Sequence, residues 1–561
     1  MPPQGACVSP LVARLLAARG VTEADNIDAF LAPKLATLVD PLRLRGMAEA
    51  VAAILGALDQ GERVTIHGDY DVDGITSAAI LWRFLRQSGF EPHVFLPDRF
   101  VDGYGINAAR VRELVAEGTR LFISVDCGTS AMEAITVARD LGAGFVVIDH
   151  HQLPDGPLPP ATAFVNPHQP DCDFPDKRLC AAGLAFHLAV ALRKALRERG
   201  HFTSRAEPDL RELLDLVALG TIADVVPLQG INRVLVAAGL ERMEKSPHAG
   251  LRALMSVAGV SGRPTAVDVG YKLGPRLNAA GRLSHPMKSF ELLATDDLEI
   301  AQQTAKAAHE ENEARRQVER HIQAEAVAQA ETDLTETPDR AALVLWDPGW
   351  HPGVSGIVAS RIVERFHRPC AVIALVDGVG KGSLRSITGF DLVDGLRQCA
   401  EHLTQWGGHP HAAGLSIAPE RLPAFREAFD QAARTRLRPE HFAPVLRHDG
   451  EVSLSEVDER LVLDLDRLAP YGAANAEPLF VARDVRVMEA RVIGKDKTHL
   501  RLVVAQDGVK LSAVAFGLAE HAPEPGARLD VAFRPELNDY PKGQALTLQL
   551  RIVDFRPVTL S

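Results

Sequence analysis

Five short apolar runs, at 64–66, 94–96, 121–125, 145–148 and 163–165, alternate with stretches of helical periodicity. Strands spaced by helices imply right-handed βαβ connections and therefore a mainly parallel sheet covered on both faces. Several runs end in the same chemistry. His67-Gly-Asp-Tyr-Asp-Val-Asp73 follows the first, Asp126 the third and Asp149-His150-His151 the fourth, while Asp224 closes a later apolar stretch. Histidines and carboxylates gathered at the carboxyl edge of a parallel sheet describe a divalent-metal centre. Such a centre names a reaction class, metal-assisted attack of water on a phosphoester.

The 561 residues suffice for roughly three to four domains, and 46% hydrophobic content is ample for buried cores. Six cysteines, Cys7, Cys127, Cys172, Cys180, Cys370 and Cys399, form no CxxC pair, which fits reduced thiols in a cytoplasm and disfavours structural zinc. The N-terminus carries no basic segment followed by an apolar one, and no apolar stretch nears the ~18 residues of a membrane span. Secretion and membrane insertion are therefore not expected. A net charge of -12 argues against a non-specific coat on nucleic acid. It still allows a locally basic groove beside an acidic metal site.

Along the chain, residues 1–60 read as a helical lead-in, with helices at 11–18, 28–31 and 47–58. Residues 61–290 form the parallel-sheet domain, with a second helical region at 184–196 and 210–222. Pro, Gly and Arg crowd 270–282, which is not expected to be one long helix. From 296 to 333 there is neither Gly nor Pro, and Asp296 and Glu299 resemble a capping box. A helix of that length, within a connector at 291–335, would be about 57 Å long and link two lobes rigidly. A second α/β lobe spans 336–440. The last segment, 441–561, changes to short strands with turn signals such as Gln506-Asp-Gly508 and Asn538-Asp-Tyr-Pro541, which suggests a small barrel or sandwich.

Hard divalent cations favour carboxylate oxygens, and added imidazole shifts preference from Mg²⁺ towards Mn²⁺. The spacing of His67, Asp71 and Asp73 lets them converge from one strand end and its turn. Asp126 ends the next long strand, where a carboxylate can bridge two ions about 3.5–4 Å apart. His150 and Asp224 can close a second site. A single Asp after a strand is as readily a helix or turn cap. Three Asp in alternate positions behind a histidine are harder to read so, because capping needs one carboxylate and the others would repel it.

In the second lobe, Trp406-Gly407-Gly408-His409-Pro410-His411-Ala412-Ala413-Gly414 reads as a glycine-dense turn whose amides can approach a phosphate. Ser383, Arg385 and Ser386 lie at a strand end, and Arg276, Asn278 and Arg282 in the Gly-rich stretch before the connector. Arginines there can bind phosphate oxygens bidentately, although surface solvation is the ordinary role of any one of them. In the final segment Arg491, Lys495, Lys497, His499, Arg501 and Tyr540 are candidate liners of a strand-binding groove, with solvent-facing charge the equal alternative.

The Asp149-His150-His151 triplet, taken with Asp71, Asp73, Asp126 and Asp224, resembles the DHH phosphoesterase superfamily. Gly407–Gly414 is similar to the substrate motif of the DHH-associated (DHHA1) lobe. Within the superfamily, Gly220-Thr-Ile-Ala-Asp-Val-Val-Pro-Leu228, Gly274-Pro-Arg-Leu-Asn-Ala-Ala-Gly-Arg282, Trp350-His-Pro-Gly-Val-Ser-Gly-Ile-Val-Ala-Ser360 and Leu468-Ala-Pro-Tyr-Gly472 resemble the bacterial RecJ family. The likeness runs from about 11 to 555.

That resemblance implies a DHH core and an α/β DHHA1 lobe joined by a long helix, then an OB-type β-barrel, arranged as a clamp around one strand. It implies two Mn²⁺ or Mg²⁺ ions, one held by His67, Asp71 and Asp126 and the other by Asp73, Asp126, His150 and Asp224. His151 would touch the scissile phosphate. Asp69, where the broader family pattern demands no carboxylate, reads as a support for His67 from a second layer. The implied activity is 5′-to-3′ exonuclease action on single-stranded DNA in recombination and repair. The implied partners are a single-stranded-DNA-binding protein and a repair helicase. Some members continue with a partner-recruiting domain; about six residues follow Phe555 in this sequence, which leaves recruitment through such a domain open. Two alternatives stand beside this reading. A DHH phosphodiesterase for short oligonucleotides or cyclic dinucleotides would need neither the lead-in nor the barrel, and a catalytically silent replication scaffold would have lost ligands.

Overall fold

Val64, Ile66, Phe122, Ile123, Val125, Val146 and Ile148 are all buried, and each belongs to a strand of one five-stranded sheet. Its strands are β1 (Arg63–Gly68), β2 (His93–Phe95), β3 (Thr119–Val125), β4 (Gly144–Ile148) and β5 (Ala163–Val165), in the order β2-β1-β3-β4-β5. Every pairing is parallel. Helices Ala108–Ala116 and Met132–Asp140 bury Val111, Leu114, Ile135 and Ala138 against one face. Helices Met47–Asp59, Val72–Gln87 and Ala181–Glu198 pack together on β1 and its neighbours. The parallel sheet expected from the apolar runs is thus present. The structure, a computed structural model, describes residues 8–98, 101–103, 105–538 and 545–558.

The chain divides into two compact units, one of residues 1–274, 293–298 and 447–561, the other of 275–292 and 299–446. In the first unit the N-terminal helices Pro10–Ala18 and Ala24–Leu31 do not join the parallel sheet. Their Val12, Leu15, Leu16, Ile27 and Phe30 enter the core of the C-terminal barrel, beside Leu454, Leu468, Phe480 and Phe533.

In the second unit β6 (Leu343–Asp347), β7 (Cys370–Val376), β8 (Val379–Arg385), β9 (Gln405–His409) and β10 (Ala412–Ile417) form a mixed sheet in the order β6-β7-β8-β10-β9. The helix Leu298–Glu336 lies mostly in this unit, packing Ile322, Ala326 and Ala330 against Leu343, Leu345 and Val372. It starts two residues after Asp296, whose carboxylate takes the Arg83 guanidinium at 2.9 Å instead of capping the helix.

Two local expectations are overturned. Residues 266–283 are helical throughout, with a π-helical turn at Val269–Leu273 between helical Ala266–Asp268 and Gly274–Leu283. Pro275 falls in the first turn after the wide one, where a missing N–H costs little, and Gly274 keeps a helical φ of −52°. Trp406–His409 is not a turn but most of the edge strand β9, paired antiparallel with β10. Gly408 has φ +148°, and a Cβ there would lie 2.5 Å from Ala413 Cα, so glycine is what lets the two strands approach.

The C-terminal strands are β11 (Gly450–Glu451), β12 (Phe480–Ile493), β13 (His499–Gln506), β14 (Val509–Ala515), β15 (Arg528–Asn538) and β16 (Thr547–Pro557). They run β11-β12-β13-β14-β16-β15, and a β12–β15 pairing closes the sheet on itself. Of barrel and sandwich, the segment is a five-stranded barrel. Tyr540 lies outside the described residues.

Candidate metal centre and anion contacts

Parallel register aligns the strand ends: Gly68 is level with Val125, Val125 with Ile148 and Ile148 with Val165. The loops leaving β1, β3 and β4 therefore emerge side by side. The first runs straight into the helix Val72–Gln87, and Gly74 makes this possible, since a Cβ there would lie 2.5 Å from the Asp69 backbone nitrogen. Asp71 caps that helix, accepting from the amides of Asp73 and Gly74 at 3.0 and 3.1 Å. Capping and ligation are not exclusive here. Asp71 also offers an oxygen to a group of potential ligand atoms with Asp69 and Asp126, all within 4.8 Å of one another.

Asp126 bends the chain just past β3 with φ +63°, its N–H still donating to Ile148 O at 3.1 Å. Its Oδ1 lies 3.2 Å from His150 Nε2. That nitrogen is also 3.6 Å from Asp224 Oδ2 and 3.8 Å from Asp73 Oδ2. Asp224 reaches the cluster from the end of helix Leu214–Ala223, which packs on Val72–Gln87. Asp73 is fixed by the start of helix Ala181–Glu198, whose Ala181 and Ala182 amides donate to it at 2.7 and 2.8 Å. A carboxylate at a helix N-terminus is favoured by both orphan amides and dipole. Gly220 leaves the room, because a Cβ there would meet Asp73 Oδ1 at 2.9 Å.

Three groupings result, Asp69 with Asp71 and Asp126, Asp73 with His150 and Asp224, and Asp126 with His150 and His151. Asp126 stands in two of them. Asp69, expected as a support for His67, also offers an oxygen to the group with Asp71 and Asp126, so it stands among the potential ligands. His67 is 1% exposed at the end of β1, with Cys127 Sγ 3.7 Å from its Nδ1.

Burial pushes the carboxyls of Asp69 and Asp73 up to about 7, with the neighbouring Asp71 charge adding to it. Burial, then Asp73 and Asp71, raises Asp224 to about 9, and Asp126 is raised well above the usual range by burial and the charges of Asp71, Asp73, Asp69 and Asp224. Burial lowers His67 and His150 to about 4, so both rings are neutral. His67 Nε2, Asp69 Oδ1, Asp126 Oδ1, His150 Nε2 and Asp224 Oδ2 are buried without hydrogen-bond partners. Buried polar atoms seldom go unsatisfied. Mutually repelling carboxyls, neutral imidazoles and orphaned ligand atoms in one cluster fit divalent cations.

His151 differs from its neighbour. Its Nδ1 is 2.8 Å from Asp149 Oδ1, and that hydrogen bond raises it to about 9, so the ring is cationic at neutral pH. Burial alone would raise Asp149, but the His151 ring and Thr129 outweigh it and hold this carboxyl well below the usual range. Asp149 also accepts from the amides of His150, His151 and Thr129, and Asn166 Nδ2 donates to His151 O at 2.8 Å and to Thr129 Oγ1 at 3.1 Å. The sequence offers Asp149 as part of the Asp149-His150-His151 motif but assigns it no role of its own. Thr129 and Asn166 carry no sequence signal, because only the folded sheet brings them there.

In the second unit, register places Ser383, Gly414 and Gly407 in one row across β8, β10 and β9, and Arg385, Ala412 and His409 in the next. Directly paired residues share a face, so Ser383, Arg385 and His409 stand together. The helix Ser355–Phe366 begins beside them: a Cβ on Gly356 would lie 3.6 Å from Ser383 Cβ and 3.1 Å from Arg385 Nη2. That helix start has no side-chain cap, and the Ser355 hydroxyl is buried without a partner. Amides, hydroxyls and a guanidinium on one face suit a phosphate. Ser386 lies just past β8 and donates to Phe390 O at 2.6 Å. Arg276, Asn278 and Arg282 lie on a helix, not in an irregular segment; Arg276 is 6% exposed against His309 at 3.2 Å, and Arg282 donates to Gly353 O at 3.1 Å. On the barrel, Arg491 and Arg501 are exposed directly opposite each other, and Phe516, 57% exposed, packs edge-on to His499. Lys495 and Lys497 are exposed in the intervening hairpin loop.

A parallel sheet with this carboxylate and histidine cluster on its carboxyl edge defines a DHH phosphoesterase, and the DHH family N-terminal domain matches residues 63–221. The DHHA1 domain matches 339–435 and the RecJ OB domain 448–554. The single-stranded-DNA-specific exonuclease RecJ of Dickeya dadantii is 39% identical over 546 residues, covering 94% of this chain and 93% of that protein. The Bacillus subtilis protein of the same name is 36% identical over 538 residues, 95% of this chain but 66% of its own length. The crystal structure of Thermus thermophilus RecJ in complex with Mn²⁺ superposes with a TM-score of 0.82 at 34% identity, covering 98% of this chain and 76% of that one. The chain belongs to the RecJ family.

Among the described residues no helix is long and apolar enough to cross a membrane.

Proposed function

We propose that this chain is a divalent-metal-dependent exonuclease that removes 5′-mononucleotides successively from the 5′ end of single-stranded DNA. Exonuclease action on single-stranded DNA is the activity named for its RecJ relatives. The observation that carries the chemistry is the cluster of orphaned ligand atoms around Asp126. Two Mn²⁺ or Mg²⁺ ions would be held there, one by His67, Asp71 and Asp126 with Asp69 beside them, the other by Asp73, Asp126, His150 and Asp224. Bound, they supply Lewis acidity at the phosphoryl oxygen and a lowered pKa for the attacking water.

The chain's own groups do the rest. Ala181 and Ala182 hold Asp73 in one orientation, so it need not reorganise during reaction. Cationic His151 donates to a non-bridging oxygen of the scissile phosphate, and Asp149 keeps it protonated and aimed. Ser383, Arg385 and His409 supply phosphate contacts. Arg491, Arg501 and Phe516 supply cations and a stacking surface for single-stranded bases. A single-stranded-DNA-binding protein and a repair helicase, which coat and expose such strands, are the partners this activity would work with, in a cytoplasm, during recombination and repair.

Digestion of 5′- and 3′-end-labelled single-stranded DNA and RNA with Mn²⁺, Mg²⁺ or chelator tests the proposal. Labelled mononucleotide is expected from the 5′ end of DNA, and none with chelator. Faster turnover of dinucleotides would favour a small-substrate phosphodiesterase, and an intact strand bound by metal-loaded protein a silent scaffold.

A further inference from the structure

The chain after Asp224 is strained. Val225 has φ +61° and is 71% exposed. A β-branched residue holds a left-handed conformation only where its surroundings impose it. On one side, Arg178 Nη1 donates to Gln229 Oε1 at 2.9 Å, and Asn232 Nδ2 to Pro227 O at 3.1 Å. On the other, the holding groups come from the segment leading into the barrel. The Leu228 amide donates to Ala473 O at 2.9 Å and Gln229 Nε2 to Ala474 O at 2.8 Å. Gly472 sits so close that a Cβ would lie 2.6 Å from Leu228 Cδ1.

That segment is itself stiff. Gly472 and Asn475 exchange backbone hydrogen bonds of 2.9 and 3.1 Å. Asn475 is 1% exposed; its amide donates to Leu468 O and Pro470 O, and its Oδ1 accepts from Arg19 Nε at 2.9 Å. Arg233, in the helix Gly230–Glu244 that follows the strained loop, fastens the two. Its buried guanidinium donates to the carbonyls of Phe30, Arg467, Leu468, Ala469 and Pro470, and stacks 3.8 Å from the Phe30 ring centroid. Five carbonyl acceptors fix position and direction, which a planar donor fork does and an ammonium does not.

We infer that residues 468–476, which lie within the stretch matched by the RecJ OB domain, are a positioning element for the metal ligand Asp224. Gly472, Ala473 and Ala474 act through Leu228 and Gln229, with Arg233 as fastener. The inference rests on the reading of Asp224 as a ligand. It makes the two ion sites unequal. Asp69, Asp71 and Asp126 come from the ends of β1 and β3 and do not depend on the barrel segment; the site of Asp73, His150 and Asp224 does.

The test is a Mn²⁺ titration of the full chain, followed by the electron paramagnetic resonance of free Mn²⁺, on wild type, Gly472→Val, Gln229→Ala and Asp224→Ala, with thermal melts in chelator to establish folding. Gly472→Val is expected to weaken one Mn²⁺ equivalent by about 10-fold or more and leave the other unchanged, with nuclease activity restored at high Mn²⁺. Gln229→Ala should weaken the same equivalent less, and it decides the matter if Gly472→Val does not fold. Wild-type binding of both equivalents in the folded variants, with one lost in Asp224→Ala, overturns the positioning role. Two intact equivalents in Asp224→Ala overturn the ligand assignment beneath it.

Discussion

Nε2 of His150 lies 3.2 Å from Oδ1 of Asp126, and both atoms are buried without a conventional hydrogen bond. A neutral imidazole and a carboxyl so placed are suited to ligate one cation, and the consequences can be measured.

Asp126→Asn removes a carboxyl that stands in two of the three groups of potential ligand atoms. Nuclease activity should fall by at least about 10²-fold, while single-strand binding stays within a few-fold of wild type. The metal-free variant should also melt higher than metal-free wild type, because one mutually repelling carboxyl is gone. Undiminished nuclease activity would remove Asp126 from the centre.

Asp149→Asn takes away the ionised partner of His151. The His151 ring should then titrate below the wild-type value of about 9, bringing the alkaline limb of the pH–rate profile to lower pH. Activity should fall about 10- to 100-fold, with both metal equivalents retained. An unshifted profile would show that His151 does not act as a cation.

The metal-free protein should have a particular pH dependence. Folded Asp69 and Asp73 titrate near 7 and Asp224 near 9, all above the ~4 of an unfolded aspartate. Protons therefore favour the folded state; this contribution is complete below pH ~4 and is lost as pH rises through about 7 and then about 9. Melting temperature in chelator should decline across that window, and added Mn²⁺ should reverse the decline with release of protons. A metal-free protein that grows more stable from pH 5 to 9 would contradict the assignment.

Arg385→Ala should weaken single-strand binding and reduce the slope of log affinity against log salt by about one. Filter binding at several salt concentrations reads this directly. An unaltered slope would mean that Arg385 touches no phosphate.

The parallel sheet was legible because its strands are apolar on both faces and stop at charged residues, as Leu121–Val125 stops at Asp126. The barrel was legible as short strands but not as a closed one, since closure depends on β12 pairing at both edges. Residues 266–283 misled because helix propensity counts Gly and Pro as breakers wherever they fall, whereas here a π-helical turn at Val269–Leu273 precedes Pro275 and the helix continues through it. Trp406–His409 carries no alternation of its own and is held in the sheet by its neighbour Ala412–Ile417. At the metal centre, Asp71, Asp73, Asp126, His150, His151 and Asp224 all fall in groups of potential ligand atoms, while His67 falls in none of them. Asp69 joins the group of Asp71 and Asp126, which a spacing of two residues from His67 does not announce.

The β12–β15 pairing closes the barrel, and along β13 residues 500–505 pair with β12 on one side and β14 on the other. A polypeptide or a nucleic acid reaching that stretch meets no open backbone edge. Recognition there falls to side chains such as Arg501, which can be exchanged without touching the hydrogen bonds that hold the strand.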